Sequence, residues 1–274
     1  MTDLEFVNPQ IKNTVDKELS IQVSLSGFSF FIQSASEKSF LAFKHYAFEK
    51  VMLIDELIRK AEDIIETDNL FKHTFKTVSV NFLSQKSTLI PSALFDVNSI
   101  KALFEFNYTL NELDELHHTF IPEIDSYNVF SIPNYLANVL FDKFGRITFK
   151  HQATELIKYG KSLKNQKHRT VLHINNSFFD IAVFEDEQLL LHNSFQYTNA
   201  QDFIYFFLYP LNQLKLDPKM QYVHIFADKK SSSSIINEVR KVTLKVISPK
   251  VEINLPTRLS SKIDKSAFYN LFVK

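Results

Sequence analysis

With no cysteine among its 274 residues, this chain would have to build a metal-ligand or hydrolytic site from His, Asp, Glu and hydroxyl side chains. The missing thiol removes disulfide frameworks, thiolate zinc sites, iron–sulfur clusters and Cys nucleophiles together, and it fits a reducing compartment. The densest candidate is the pair His117-His118 within Asn111–Asp125, a stretch that also holds Glu112, Asp114, Glu115, Glu123 and Asp125. Imidazole and carboxylate form a metal-ligand set only when they converge, and neighbouring residues on a strand point to opposite faces. The expectation is a solvated acidic strand and loop, with no metal. His173 and His224 stand inside apolar runs, where a satisfied core or inter-lobe histidine is expected. Two-metal hydrolysis needs clustered carboxylates, and Asp180 stands alone among the acids of its hairpin apart from the Glu185–Glu187 turn. No G-x-S-x-G elbow, Walker loop or G-x-G-x-x-G is present. Average usage of ~7% would give about 19 glycines, and the chain has three. A glycine-rich phosphate loop is therefore excluded; no catalytic residue and no cofactor is expected.

The elements that would position these residues follow two periods. Ser20–Ser26 alternates apolar and polar residues, Gly27 breaks the run and Phe28–Gln33 resumes it, which predicts a hairpin. Phe40–Phe48 reads as a third strand and Glu49–Thr67 as a helix, with Val51, Ile54, Leu57, Ile58, Ala61, Ile64 and Ile65 at 3–4 spacing. Thr77–Leu83 reads as a strand and Val97–Phe106 as a short helix. The order then repeats: strands at Thr170–Asn175, Phe178–Phe184 and Gln188–Phe195, and a capping box Thr198–Gln201 opening a helix to about Leu214 that Pro210 should kink or end early. A strand at Tyr222–Ala227, a helix at Ser233–Val239, a strand at Val242–Ile247 and a small helix at Ser266–Val273 complete it. The run Asp202–Tyr209 is apolar all round a helix, which points to burial on more than one side or to an interaction surface, with the core the favoured place. The fold class is thus mixed α/β in two lobes, each β-β-β-α-β-α, with residues 1–165 as the first lobe, including an inserted acidic segment at about 107–142, and 166–274 as the second.

Two such lobes in tandem are the order of the actin-like ATPase superfamily, whose lobes are ribonuclease H-like units. The segment Leu172–Val183, LHINNSFFDIAV, resembles the second phosphate loop of that superfamily, D-I-G-G-G-T-F-D-V-A-V, at Ile174, Phe179, Asp180, Ala182 and Val183. The positions that would carry metal–nucleotide chemistry depart from it. His173 holds the place of the Asp, Asn175, Asn176 and Ser177 replace the glycines, Ser24 and Ser26 stand where the first hairpin would read D-x-G, and Ala227-Asp228 falls where the adenosine-side double glycine would be. The chain also resembles an uncharacterised bacterial domain-of-unknown-function family with a degenerate actin-like fold, through Ser87–Phe95 (STLIPSALF), Val129–Pro133 (VFSIP) and Asn193–Tyr209 (NSFQYTNAQDFIYFFLY). This resemblance implies a fold without an activity. More distant similarity is to the actin-like proteins of pilus assembly and type II secretion, which act as scaffolds.

The 31 basic and 31 acidic residues cancel, so no overall field selects a polyanion. Locally, Lys150–Arg169 carries six basic residues against one acid and Asp228–Lys274 ten against four, whereas Asn107–Asp142 has six acids and no Lys or Arg. The basic stretches lack the motifs of nucleic-acid modules. The N-terminal segment shows neither a basic start nor an apolar run of leader type, and no apolar run exceeds nine residues, against about 20 for a membrane span. These features predict a cytoplasmic binding or scaffold protein with an unidentified protein partner and without membrane insertion, bound nucleotide or nucleic acid. Its interaction residues are expected at Glu112, Asp114, Glu115, Phe120 and Tyr127. The alternatives are a divergent nucleotide-binding protein or ATPase holding phosphate with Asn175, Asn176 and Ser177, and a nucleic-acid-associated factor using the basic segments.

Overall fold

A computed structural model describes residues 4–8, 11, 16–251, 253, 255–256 and 262–272. Val273, expected in the last helix, and parts of the N-terminal segment and of the basic stretch 228–274 lie outside them. The chain begins β1 (Leu4–Val7), β2 (Lys17–Ser24), β3 (Gly27–Ser34), β4 (Phe40–Ala47), α1 (Ile54–Thr67) and β5 (Thr77–Phe82). It continues through β6 (Ser87–Pro91), α2 (Ile100–Glu105), β7 (Asp114–Ile121) and β8 (Ser126–Pro133) to α3 (Asn134–Phe144), β9 (Thr148–Lys150) and α4 (Gln152–Ser162). The second half is β10 (His168–Ile174), β11 (Phe178–Glu185), β12 (Gln188–Gln196), α5 (Ala200–Gln213), β13 (Tyr222–Phe226), α6 (Ser233–Val242), β14 (Lys245–Ile247) and α7 (Tyr269–Phe272).

These strands form three sheets, in the orders β1-β4-β3-β2-β5-β9, β12-β11-β10-β13-β14 and β6-β8-β7. In each large sheet an antiparallel meander, β2-β3-β4 or β10-β11-β12, is extended by parallel strands reached through helices. This is the duplicated mixed α/β order expected from the alternating runs. β3 and most of β11 are buried on both faces; β11 is accordingly apolar apart from Asp180 and Glu185, whereas β3 buries Ser29, Gln33 and Ser34 among its apolar residues.

Several local expectations are corrected. The first helix begins at Ile54 rather than Glu49: the Met52 N–H donates to the Leu25 carbonyl (2.8 Å), holding that segment against the first hairpin, and Glu56 accepts the Leu53 N–H (3.1 Å) to cap the helix. The Asn199 side chain, not Thr198, caps α5 by accepting the Asp202 N–H (2.9 Å), and α5 runs through Pro210 to Gln213. Its aromatic run buries one face only: Phe203, Phe207 and Leu211 are in the core while Tyr205 and Tyr209 are exposed.

The acidic segment 107–142 does not behave as one insertion. Its first part joins β6 and α2 in the three-stranded sheet, where Phe104 packs with Ile90 and Val129. α3 instead belongs to the first large core: Leu136, Ala137 and Leu140 pack with Leu57, Ala61 and Ile64 of α1. α2 is thus the helix of the small sheet, and α3 serves as the second helix of the first large sheet.

The large sheets also exchange helices. α4 follows the last strand of the first sheet and packs on the second, Leu156 and Ile157 meeting Val171, Ala182 and Phe184. α7 follows the last strand of the second sheet and lies against β2 and β3 of the first, where the Asn81 amide donates to the Asn270 carbonyl (3.1 Å). Tyr269 of α7 stacks on Phe226 (4.0 Å between rings) and donates to the Gln152 carbonyl at the head of α4 (3.2 Å). The two crossing helices therefore touch where the sheets meet.

Candidate functional site

Strand register places the resemblance residues in one row. His173, Asp180 and Ser194 are direct partners across β10, β11 and β12, and Gln22, Ser29 and His45 form the matching row across β2, β3 and β4. The hairpin turns flanking the rows are closed by their own atoms. In the first, Ser24 Oγ donates to the Gly27 carbonyl (3.2 Å) and accepts the Ser26 N–H (3.3 Å). A Cβ at Gly27 would stand 3.1 Å from both the His45 ring and the Tyr46 carbonyl, so the turn needs glycine for close approach. In the second turn the Asn175 N–H donates to the Phe178 carbonyl (2.9 Å), the Tyr197 hydroxyl donates to the Asn175 carbonyl, and the Asn175 amide stands 3.4 Å from His173 Nδ1. Asn176 is exposed and Ser177 half-buried.

Asp180 is fully buried. Its Oδ1 accepts from the Ser194 hydroxyl and from Gln152 Nε2 (3.4 Å), and its Oδ2 lies 3.4 Å from His173 Nδ1. Burial alone would raise this carboxyl, but the His173 and Ser194 contacts outweigh it and hold it below the usual carboxylate range. Around it, Gln152 Nε2 also donates to the Ser84 carbonyl, and its Oε1 accepts the Ser84 N–H (3.4 Å). His151, fully enclosed, has its pKa pushed down to about 4 by burial. Its neutral ring suits the contacts it makes: Nε2 donates to the Ser84 carbonyl (3.0 Å) and Nδ1 accepts the Ala153 N–H (3.3 Å). His192 is likewise lowered by burial, Asp180 opposing. Polar groups from the end of β5, the head of α4 and three strands of the second sheet thus converge at the junction of the two sheets and bond one another in part, while Asp180 Oδ2 and His192 Nε2 are buried without a hydrogen-bond partner. Among the described residues no group of three His, Asp or Glu side chains is arranged to hold a metal ion.

The other expected residues are dispersed. Asp228 caps the turn before α6, accepting the Ser231 N–H (2.8 Å), and the Ala227 N–H donates to Ser266 Oγ (3.3 Å). His117 and His118 do take opposite faces of the small sheet: His117 meets Phe149 (4.6 Å between rings) and His118 meets Phe95 (5.0 Å). Glu112 is exposed, whereas Asp114 accepts from Asn111 Nδ2 (2.9 Å) and lies 3.5 Å from Lys86 Nζ. Glu115 turns to the opposite face and meets His117 Nε2 at 3.0 Å. Phe120 and Tyr127 are brought together (4.9 Å) beside Phe95, which stacks on Tyr127 at 3.7 Å. Leu94, Val97, Phe106 and Leu113 stand exposed in the same unit, Phe106 at 92%. The residues missed from the sequence are Ser84, His151, Gln152, His192 and Ser194, whose convergence depends on cross-strand register; a His-Gln pair at a helix head was the one local signal.

Comparison with known proteins gives the same architecture. A crystal structure from Bacteroides thetaiotaomicron VPI-5482, of a protein with an actin-like ATPase fold and unknown function, is 22% identical, with a TM-score of 0.77 over 93% of this chain and 100% of that one. The PilM–PilN type IV pilus biogenesis complex aligns at 8% identity, with a TM-score of 0.55 over 95% of this chain and 97% of that one. No curated protein matches the chain by sequence. The molecule therefore has the actin-like ATPase fold, a duplication of the ribonuclease H-like unit. A family model described as protein of unknown function (DUF3822) matches residues 8–244, and the chain belongs to that family.

Proposed function

We propose that this protein is a binding or scaffold module on an actin-like frame that has given up nucleotide chemistry. The carrying observation is Asp180, which is fully buried, with Oδ1 accepting from Ser194 and Gln152 and Oδ2 facing His173 at 3.4 Å. Backbone approach to phosphate is also limited where Asn175, Asn176 and Ser177 replace glycine. In this reading residues 1–165 and 166–274 are the two lobes, and α4 and α7 tie them. Recognition falls to the small sheet, where Phe120 and Tyr127 form an aromatic face at one end of the β7–β8 hairpin and exposed Glu112 stands before its other end. The PilM–PilN pilus biogenesis complex is a neighbour in fold, and a protein partner is what we assign here. The lack of cysteine fits a cytoplasmic setting, and no helix among the described residues is long and apolar enough to cross a membrane.

Calorimetry with ATP and magnesium tests the first half. Each missing charge-assisted hydrogen bond to phosphate weakens binding by roughly 1.5–3 kcal/mol, so no saturable heat is expected below about 1 mM nucleotide. A micromolar Kd abolished by Asn175→Ala with Asn176→Ala would instead establish a divergent nucleotide binder.

A further inference from the structure

Two sheets end side by side. β12 is an edge strand of the second large sheet and β6 an edge strand of the small one, and each leaves one line of main-chain N–H and C=O groups outside its ladder. Gln85, just before β6, receives a hydrogen bond from Gln196 at the end of β12 (2.9 Å). Four residues on, Leu89 lies across a groove of about 450 Å³ from Gln188–His192. The strands thus run in opposite senses, tied at one end and parted at the other. The turn between β7 and β8, with Glu123 and Ile124, closes the groove's side, and Lys161 joins it from α4.

We infer that this groove takes up a short extended peptide of another protein, added as a strand along β12 with a basic side chain at the rim. Three observations carry this. The edge offers main-chain partners to a segment of about four or five residues, the span of Gln188–His192 at ~3.4 Å per residue. The lining mixes polar and apolar groups, with Leu89 and Leu189 on one face where an apolar side chain of such a segment would rest and Leu191 turned to the other. The charge at the mouth is acidic: Glu123 and Glu187 are exposed, while the Lys161 ammonium donates to the Glu187 carbonyl. The edge is also irregular. Val183 pairs with Leu191 but Phe184 with Leu189, so Leu190 is an extra residue, and its two neighbours enter different cores. A bulge in an edge strand opposes continuous pairing with a second copy, which favours a short foreign segment. This surface is separate from the aromatic face of the small sheet.

The test uses the full chain and random peptides of about seven residues displayed on phage, followed by synthesis of those selected. The expected result is enrichment of alternating apolar sequences with Lys or Arg, slowed amide exchange confined to 87–91 and 188–196 on binding, and affinity reduced about tenfold by Glu123→Lys with Glu187→Lys. Both glutamates are exposed, so the double variant should keep its fold, and unchanged melting verifies this. The inference is overturned by the absence of enrichment, by protection elsewhere such as at Phe120 and Tyr127, or by a dimer that slows the same amides without peptide. Protection at Phe120 and Tyr127 would leave the scaffold reading standing while removing this one.

Discussion

The matching rows of the two large sheets occupy the same place and are built from opposite chemistry. In the first sheet Ser29 bonds His45 Nδ1 at 2.8 Å beside Gln22, and the His45 ring meets Phe268 (5.0 Å). In the second sheet the middle position is a buried carboxylate beside an imidazole. Duplication supplied one geometry twice, but only the second row contains a charge that needs its partners. A neutral hydroxyl pair contributes about 1 kcal/mol, whereas an unpaired buried charge costs several. The second row is the one whose failure would unfold the molecule.

The sharpest test of that contrast is substitution at the centre of each row. Asp180→Ala, which leaves His173 facing an emptied site, should cost roughly 3–5 kcal/mol. Ser29→Ala should cost about 1 kcal/mol. Urea unfolding of both variants measures the difference, and equal costs would break the contrast.

Acidification comes next in size. His151 and His224 are both buried, with pKa values pushed down to about 4 from an ordinary value near 6.5. The folded state holds them neutral while the unfolded chain takes up protons below 6.5, so stability rises with pH across that window and falls on acidification from about 6.5 to 4. At pH 5 each should account for up to roughly 2 kcal/mol, and His224→Gln should flatten the profile. Asp180, held low, adds its own loss only below the usual carboxylate value, as pH falls through its depressed one. A profile flat from pH 7 to 5 would count against buried neutral histidines.

The exchanged helices give the two smaller tests. A methyl at Gly160 would collide with the Phe184 ring, so Gly160→Ala should cost about 1–3 kcal/mol by overpacking α4 on the second sheet. Tyr269→Phe removes the hydroxyl bond that joins α7 to the head of α4 and should cost about 1 kcal/mol. Thermal melting distinguishes them; a neutral Gly160→Ala would mean that α4 sits more loosely than α7.

The meanders were legible because strands half or fully buried write their period into the chain, as in Ser20–Ser26 and Phe178–Phe184. α3 was hidden differently. Leu136, Ala137 and Leu140 carry a helical period, and Gly145 at φ +70 supplies its stop, but the acidic composition upstream drew 107–142 into one segment. The second row was half legible: Asp180 and the departures at His173 and Asn175 stand in one motif, whereas Gln152 and Ser194 reach Asp180 only through pairing and helix placement that local pattern does not encode. The acidic patch was the least legible, since the letters could not tell exposed Glu112 from Asp114 tied to Lys86.

The crossing of α4 and α7 has a consequence for synthesis. The first meander is complete in the growing chain by Ala47, yet the helix that lies against β2 and β3 is made only at residues 269–272. Closure of the first sheet is therefore a contact across more than two hundred residues, the kind that slows folding and leaves apolar surface uncovered meanwhile. A nascent chain stalled before residue 269 should present that face to chaperones, and the last turn of helix, rather than the first sheet, should set when the molecule becomes resistant to protease.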